Sequence, residues 1–260
     1  VNFQHLRDYR TALQTIVLKE ILRFVRIWVQ TILPPMITMA LYFIIFGGLI
    51  GDRIGEMDGI RYMDFIVPGL IMLAVITNSY ANVVSSFYSS KFQRHIEEML
   101  VAPVPASLII LGFVGGGLAR GLTVGAAVLG ISLFFSPLDP HNIAVALSIL
   151  VLTSILFALA GLINGLFARS FDDISIVPNF ILTPMTYLGG VFYSVTLLPD
   201  FWQGVSVLNP ILYMVNAFRY GMIGSTDIPL WLSYATILGF IGALYVLAWV
   251  LLTRGVGVRS

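Results

Sequence analysis

Residues 91–107 read KFQRHIEEMLVAPVPAS, a short charged island between two long apolar segments. Phe92, Ile96, Met99 and Leu100 recur at i, i+4, i+7 and i+8, which predicts one apolar face on a helix over 91–100. Lys91, Arg94, His95, Glu97 and Glu98 form its polar side. Pro103 and Pro105 end it, because each removes a backbone donor and disfavours helix at the preceding residue. Ten residues of helix reach only ~15 Å, too short to cross a bilayer. The island therefore lies outside the membrane. Its stripe meets either the ends of the chain's own spans or a partner. The mixed charge suits a protein surface, since a lipid-binding helix would be dominantly basic.

The flanks set the fold class. Of 260 residues, 58% are apolar and 10% charged, with mean hydropathy +0.94. A soluble domain carries about 25% charged residues, so the expectation is an all-α polytopic membrane protein. Six transmembrane helices are predicted at 27–50, 65–90, 107–135, 143–168, 174–193 and 231–252, each near the ~20 residues a span needs. Pro34, Pro35, Pro68, Asn78, Asn82, Arg120, Pro178 and Pro184 fall inside these spans. In lipid such groups are tolerated only where neighbouring helices or a wet cavity satisfy the freed backbone. Gly117, Gly121 and Gly125, and likewise Gly161 and Gly165, recur every fourth residue, a spacing that lets helices approach closely.

An even number of spans places both termini on one side. Arg7, Arg10, Lys19, Arg23, Arg26, Lys91, Arg94, Arg169, Arg254 and Arg259 lie on that side, against Arg53, Arg61 and Arg219 in the opposite loops. The positive-inside bias puts the termini and the island in the cytoplasm. Residues 5–26 read as an amphipathic helix along the membrane surface, with Leu6, Tyr9, Leu13, Ile16, Val17, Ile21, Phe24 and Trp28 on one stripe. They lack the uncharged apolar core of a cleaved signal peptide. Segment 196–222 is too apolar for a solvated loop. Pro199-Asp200, with Gln203 following, and Asn209-Pro210 look like two capped helix starts. Each piece is too short to span, so two outer half-helices are expected to dip into the bilayer and back out, carrying Phe201, Trp202, Leu208, Tyr213 and Phe218.

The chain carries no visible engine. It has no G-x-x-x-x-G-K-[ST] phosphate loop, no H-E-x-x-H and no G-x-S-x-G. It has no cysteine, hence no disulfide or thiolate site. No cofactor, metal or catalytic residue is expected. A net charge of +1 without a concentrated basic surface does not suggest a nucleic-acid binder. The acids read as lying in loops or at span edges, unlike ion-coupled transporters. Asp172 and Asp173 read as a cap of the fifth span, or as a partner contact. Arg120 either faces a pathway or dimer partner, or snorkels to the cytoplasm if Gly115–Gly117 break the helix below it.

Several segments together resemble the ABC-2 type permeases: FIVPGL at 65–70, EEMLVAPVP at 97–105, FDDISIVPNFILTPMTYLGGVFYS at 171–194, LPDFW at 198–202 and LNPILYMVNAFRYG at 208–221. The likeness runs from about Ile21 to Leu252 and is silent about cargo. It implies an exporter built from two permease chains and two separate ATPase subunits, which carry the ATP and Mg, in a bacterial inner membrane. A homodimer is the implied pairing. By position, Phe92 to Leu100 is the coupling helix that docks on the ATPase, and 5–26 a second contact. Segment 196–222 matches the outer re-entrant helices that close the exit. Beside the exporter stand an ion-coupled secondary transporter and a non-transporting membrane assembly factor.

Overall fold

The computed structural model describes residues 3–57, 59–102, 104–137 and 139–257; the side chains of residues 3–7 and of Leu100 also lie outside the described part. Pro103 and Arg259, named above, are outside it too.

Helix α1 spans Phe3–Arg26. The first span follows as α2 (Trp28–Thr31), α3 (Leu33–Tyr42), a π-helical stretch Phe43–Ile50 and α4 (Gly51–Ile54). Its break at Ile32 comes just before Pro34 and Pro35, which cannot donate back to the preceding turn. A two-stranded antiparallel hairpin, β1 (Glu56–Met57) and β2 (Ile60–Arg61), then reverses the chain, a small departure from the all-helical expectation. Gly55 and Gly59 supply the positive φ that this tight reversal needs.

The centre of the molecule is α5 (Tyr62–Phe92), 31 residues long and so about 46 Å. Over its most apolar window 83% of residues are buried, against 17% for Trp28–Ile54 and 22% for the last helix, so α5 is the core around which the others stand. Helices α7 (Ala106–Ser132) and α8 (Ile143–Phe167) pack against it. The glycine ladder explains how closely. A Cβ on Gly117 would meet Val83 at 2.6 Å, one on Gly121 would clash with Ser79, and one on Gly125 would meet Val75 at 2.7 Å. Residues 83, 79 and 75 descend as 117, 121 and 125 ascend, the register of an antiparallel pair. Gly161 and Gly165 of α8 receive the Tyr80 backbone and the Phe87 ring.

Between α5 and α7 lies α6 (His95–Val101). The single helix expected over 91–100 is therefore two pieces. Phe92 ends α5, and Arg94 turns the chain through a left-handed conformation at φ 63° before α6 starts. Phe92 and Ile96 consequently share no helical face.

The fifth predicted span, 174–193, stops early. It forms α9 (Asp173–Val177), a π-helical stretch Pro178–Leu182 and α10 (Thr183–Tyr187), and ends before Gly189-Gly190, where Gly190 has φ +71°. Among the described residues, five helices are long and apolar enough to cross a membrane; this one is shorter. A 3-10 turn at Val195–Leu197 leads to α11 (Asp200–Val207), α12 (Pro210–Ile223) and α13 (Leu230–Thr253). Asn209 caps α12, its side-chain oxygen accepting from Ile211 N at 3.0 Å. Asp200 does not cap α11: it is the first helical residue, and Pro199 occupies the cap position. Gln203 turns back to the carbonyls of Leu198 (2.8 Å) and Thr196 (3.3 Å).

Candidate functional site

At the end of the bundle that carries α6, polar and aromatic side chains tie three helix ends together. Lys91 Nζ donates to the carbonyls of Leu166 and Ala168, both at 2.7 Å, the last acceptors of α8 that have no helical partner. Tyr88 Oη donates to Arg169 O at 2.9 Å. The rings of Tyr88, Phe92 and Phe171 stand against one another, with centroids 4.8 to 6.4 Å apart. Asp173 accepts from the N–H groups of Arg169 (2.8 Å) and Ser170 (3.1 Å), while its own N–H donates to Ser170 Oγ at 3.1 Å. This reciprocal pair is a capping box, and it gives Asp173 a structural role at the α9 start. The Arg169 N–H holds its carboxyl below the usual carboxylate range. Asp172 contributes its backbone carbonyl to Ser175.

The predicted stripe divides on this scaffold. Ile96 is fully buried among Phe87, Ile109, Ile110 and Phe113, and Met99 packs on the same cluster. These two face the chain's own spans. Phe92 is 67% exposed, and Arg94, His95, Glu97 and Glu98 are exposed beside it. Phe167, Phe171 and Val101 are exposed as well. Around them runs a cleft of about 650 Å³ bordered by Phe92, Arg94, Glu97, Phe167 and Arg169.

A second feature was hidden from the sequence reading. Glu20, which falls between Ile16 and Phe24 on the apolar stripe of α1, is completely buried. Helix α1 packs on α7, where Gly112, Gly115 and Gly116 leave room for Ile16, Val17 and Glu20. Ser86 Oγ donates to Glu20 Oε1 at 2.7 Å, and Arg23 Nε lies 3.5 Å from Oε2. Arg23 Nη2 also donates to Asn82 Oδ1 (2.8 Å) and Asn82 O (2.9 Å). One turn further along α5, Asn78 Oδ1 accepts from Arg120 Nη2 at 3.0 Å. Helix α7 runs unbroken through Gly115–Gly117, so the break that would have let Arg120 snorkel does not form. Asn78, Asn82 and Ser86 thus make a polar ladder on one face of α5. Their i, i+4, i+8 spacing was the available signal, but the partner on α1 lies more than sixty residues away.

Asn78 also lines a cleft of about 460 Å³ between α3, α5 and the α9–α10 helix. Its floor includes the buried Asn78, Tyr80 and Leu182, and its rim the exposed Thr38, Thr183 and Tyr187. Phe192 stands between Tyr42 and Tyr187, 6.0 Å from each ring, at the end of the cleft away from α6. Tyr62 Oη holds Phe192 O at 3.0 Å. Arg219 Nη2 holds Gly190 O at 2.7 Å, with the guanidinium carbon 3.9 Å from the Phe65 ring centroid. Arg219, counted above among loop residues, is thus a buried residue of α12. Of the expected gate residues, Pro210, Tyr213 and Phe218 are buried in α12 and Asn209 caps it, while Phe201, Trp202 and Leu208 are exposed on and after α11.

The profile of the ABC-2 type transporter family matches residues 11–223, from within α1 to the end of α12. The inner membrane transport permease YadH of Escherichia coli K12 is 63% identical over 252 residues, covering 97% of this chain and 98% of its own. The chain belongs to the ABC-2 type transporter family. More distant likeness extends to Nodulation protein J of Rhizobium meliloti, 25% identical over 201 residues and 77% of each chain. Nodulation protein J of Sinorhizobium fredii is 26% identical over 175 residues, 67% of each chain. The family match takes in the polar ladder, the α6 end and the lining of the cleft; α13 lies beyond it.

Proposed function

We propose that this chain is the permease subunit of an ATP-driven exporter in a bacterial inner membrane, driven by a separate ATPase that docks on the α6 end. The observation that carries this reading is the exposed aromatic surface of Phe92, Phe167 and Phe171, set around a charged cleft on a chain without a phosphate loop. The name of the relative YadH, an inner membrane transport permease, supports both the compartment and the activity. In this reading α6 is the coupling helix. Its inner face, Ile96 and Met99, fixes it to the spans, and its outer face meets the motor, so a push on α6 passes directly into α5 and α7. The cleft between α3, α5 and α9–α10 is the path for an amphipathic cargo, and Phe192 with the α11–α12 pair closes its outer end. An ion-coupled transporter would place a titratable acid in that cleft, and the described lining holds none.

The test is co-purification and ATP hydrolysis with a candidate ATPase subunit expressed together with the permease. The permease alone is expected to hydrolyse no ATP above background. Phe92→Ala is expected to weaken retention of the ATPase about thirtyfold, since an aromatic anchor at an interface is worth about 2 kcal/mol or more. Glu98→Lys should act in the same direction. Normal ATPase retention and full transport by both variants would sink the docking assignment.

A further inference from the structure

One turn apart on α5, Asn78 and Asn82 hold two guanidiniums at the junction of α1, α5 and α7. Arg23 reaches Asn82 and Arg120 reaches Asn78, each through Nη2. The acid of this ladder, Glu20, pairs with Arg23 at 3.5 Å. Arg120 has no acid within ion-pair distance among the described residues. The two arginines and Glu20 therefore leave one positive charge over. Acceptors run short in the same way. Asn82 Nδ2 and the Nε atoms of both arginines are buried without a hydrogen-bond acceptor, and against them stands one unpartnered oxygen, Glu20 Oε2. Asn82 is completely buried, but Arg23 and Arg120 are only partly so. Their Nη1 groups donate to nothing among the described residues.

The junction lies close to one face of the bilayer. Arg61 and Asp64 form a partly exposed ion pair at the start of α5, which places that end outside the hydrocarbon. Counting from Phe65, about 20 residues cross the ~30 Å apolar core and reach Val84, just beyond Asn82. Asn78 and Asn82 thus sit within about two turns of the bilayer boundary on the α6 side. An unbalanced guanidinium at this level calls for a partner. On the other side of α1, Leu18, Leu22 and Val25 are exposed, a surface suited to acyl chains.

We propose that Arg23 and Arg120 bind the phosphodiester head of a singly charged phospholipid, with Asn78 and Asn82 positioning the two guanidiniums. The phosphate brings acceptors, and the planar guanidinium fork matches its oxygens. Its single negative charge brings the group to neutrality. A zwitterionic phospholipid carries the same phosphate but adds an ammonium that the remaining guanidinium repels. Among the ladder residues only Asn78 lines the α3–α5–α10 cleft, so the lipid stands beside that cleft and not in it.

The full chain, purified in dodecyl maltoside, is titrated with phosphatidylglycerol or phosphatidylcholine of the same acyl chains, and bound lipid is counted by native mass spectrometry. One phosphatidylglycerol per chain is expected at concentrations where phosphatidylcholine does not bind. Arg120→Gln is expected to raise the half-saturating concentration about tenfold, the worth of one charge-assisted hydrogen bond. Arg120→Lys, which keeps the charge, should recover most of the loss. Arg26→Gln, at an exposed position on α1, should change nothing. Equal binding of the two lipids overturns the proposal, and so does unchanged affinity in a folded Arg120→Gln chain. An equal loss in Arg26→Gln also overturns it, because attraction to any basic surface would then suffice. A third arm adds excess sodium phosphate. Persistence of bound phosphatidylglycerol supports the lipid as the source, whereas its displacement overturns the lipid and leaves a site for free phosphate. If Arg120→Gln does not fold, the lipid comparison and the phosphate arm on the unaltered chain decide.

Discussion

Arg94 and Glu20 show how single residues set the packing of α6 and of α1. Arg94 holds φ 63° at the junction of α5 and α6, a conformation that costs an ordinary L-residue about 1 kcal/mol or more. The turn aims α6 so that Ile96 enters the core and Phe92 stays out. Arg94→Gly should leave the melting temperature of the purified complex unchanged or slightly higher. Arg94→Ile should lower it, because a β-branched side chain tolerates this region poorly; equal melting of the two variants would argue against a left-handed junction. Glu20 is a different case. Removing one partner of a buried ion pair leaves the other charge uncompensated, at a cost of about 3 kcal/mol or more where both are buried; Arg23 is one-third exposed, so the loss here is smaller. Glu20→Ala is expected to loosen α1 from α7 and speed proteolysis within residues 8–26, and Glu20→Gln, which keeps an acceptor for Ser86, to do so less. Neither role could be read from the chain alone. The left-handed turn depends on how two helices are joined, and Glu20, four residues after Ile16 and four before Phe24, falls on the apolar stripe of its own helix without showing what partners it. Its burial is decided by three glycines almost a hundred residues later.

At the scale of elements, the regular parts were legible and the interruptions were not. Long apolar runs announce α5, α7, α8 and α13 because length and hydropathy alone demand them. The Asn209 cap of α12 follows from one side chain and the proline after it. The early stop of α10 was missed although Gly189-Gly190 marks it, because Leu188 to Ser194 is otherwise apolar; the tertiary holds of Arg219 and Tyr62 then fix the chain where it turns. The glycine spacing was visible, but which glycines matter emerges only from their neighbours. A Cβ at Gly117 would meet Val83 and Ala158 within 2.8 Å, whereas one at Gly130 or Gly239 meets nothing within 4 Å. Gly117→Ala is expected to destabilise the folded chain by about 1–3 kcal/mol through overpacking. Gly130→Ala and Gly239→Ala should be neutral or mildly stabilising, since alanine is the better helix former. Thermal melting in one detergent compares all three; a Gly117→Ala protein that melts with the other two would mean α5 and α7 stand further apart than described.

The whole molecule leaves two flanks uncovered, and they differ in kind. Helix α13 is apolar and regular, with every interior backbone group in the helix ladder, so lipid can cover it without loss. The other flank carries α3 and α9–α10, with Ile37, Leu41, Phe180 and Ile181 exposed. Here Pro34, Pro35, Pro178 and Pro184 interrupt the ladder, and two π-helical stretches lie in or beside these helices. Backbone acceptors freed in this way are costly against hydrocarbon and call for protein or water beside them. The cleft opens on this flank as well, between the same helices. On the proposed reading, a second copy of the chain related by a two-fold axis is expected to cover the interrupted helices and leave α13 to the lipid, because a two-fold contact uses the same patch on both partners. Cysteines placed one at a time at Ile37, Phe180 and Leu247 of the cysteine-free chain test this in native membranes with a short bifunctional maleimide. Position 37 or 180 is expected to give a cross-linked dimer, and position 247 on α13 to remain monomeric. Dimers formed through position 247 alone would put the seam on the opposite flank and leave the prolines without their neighbour.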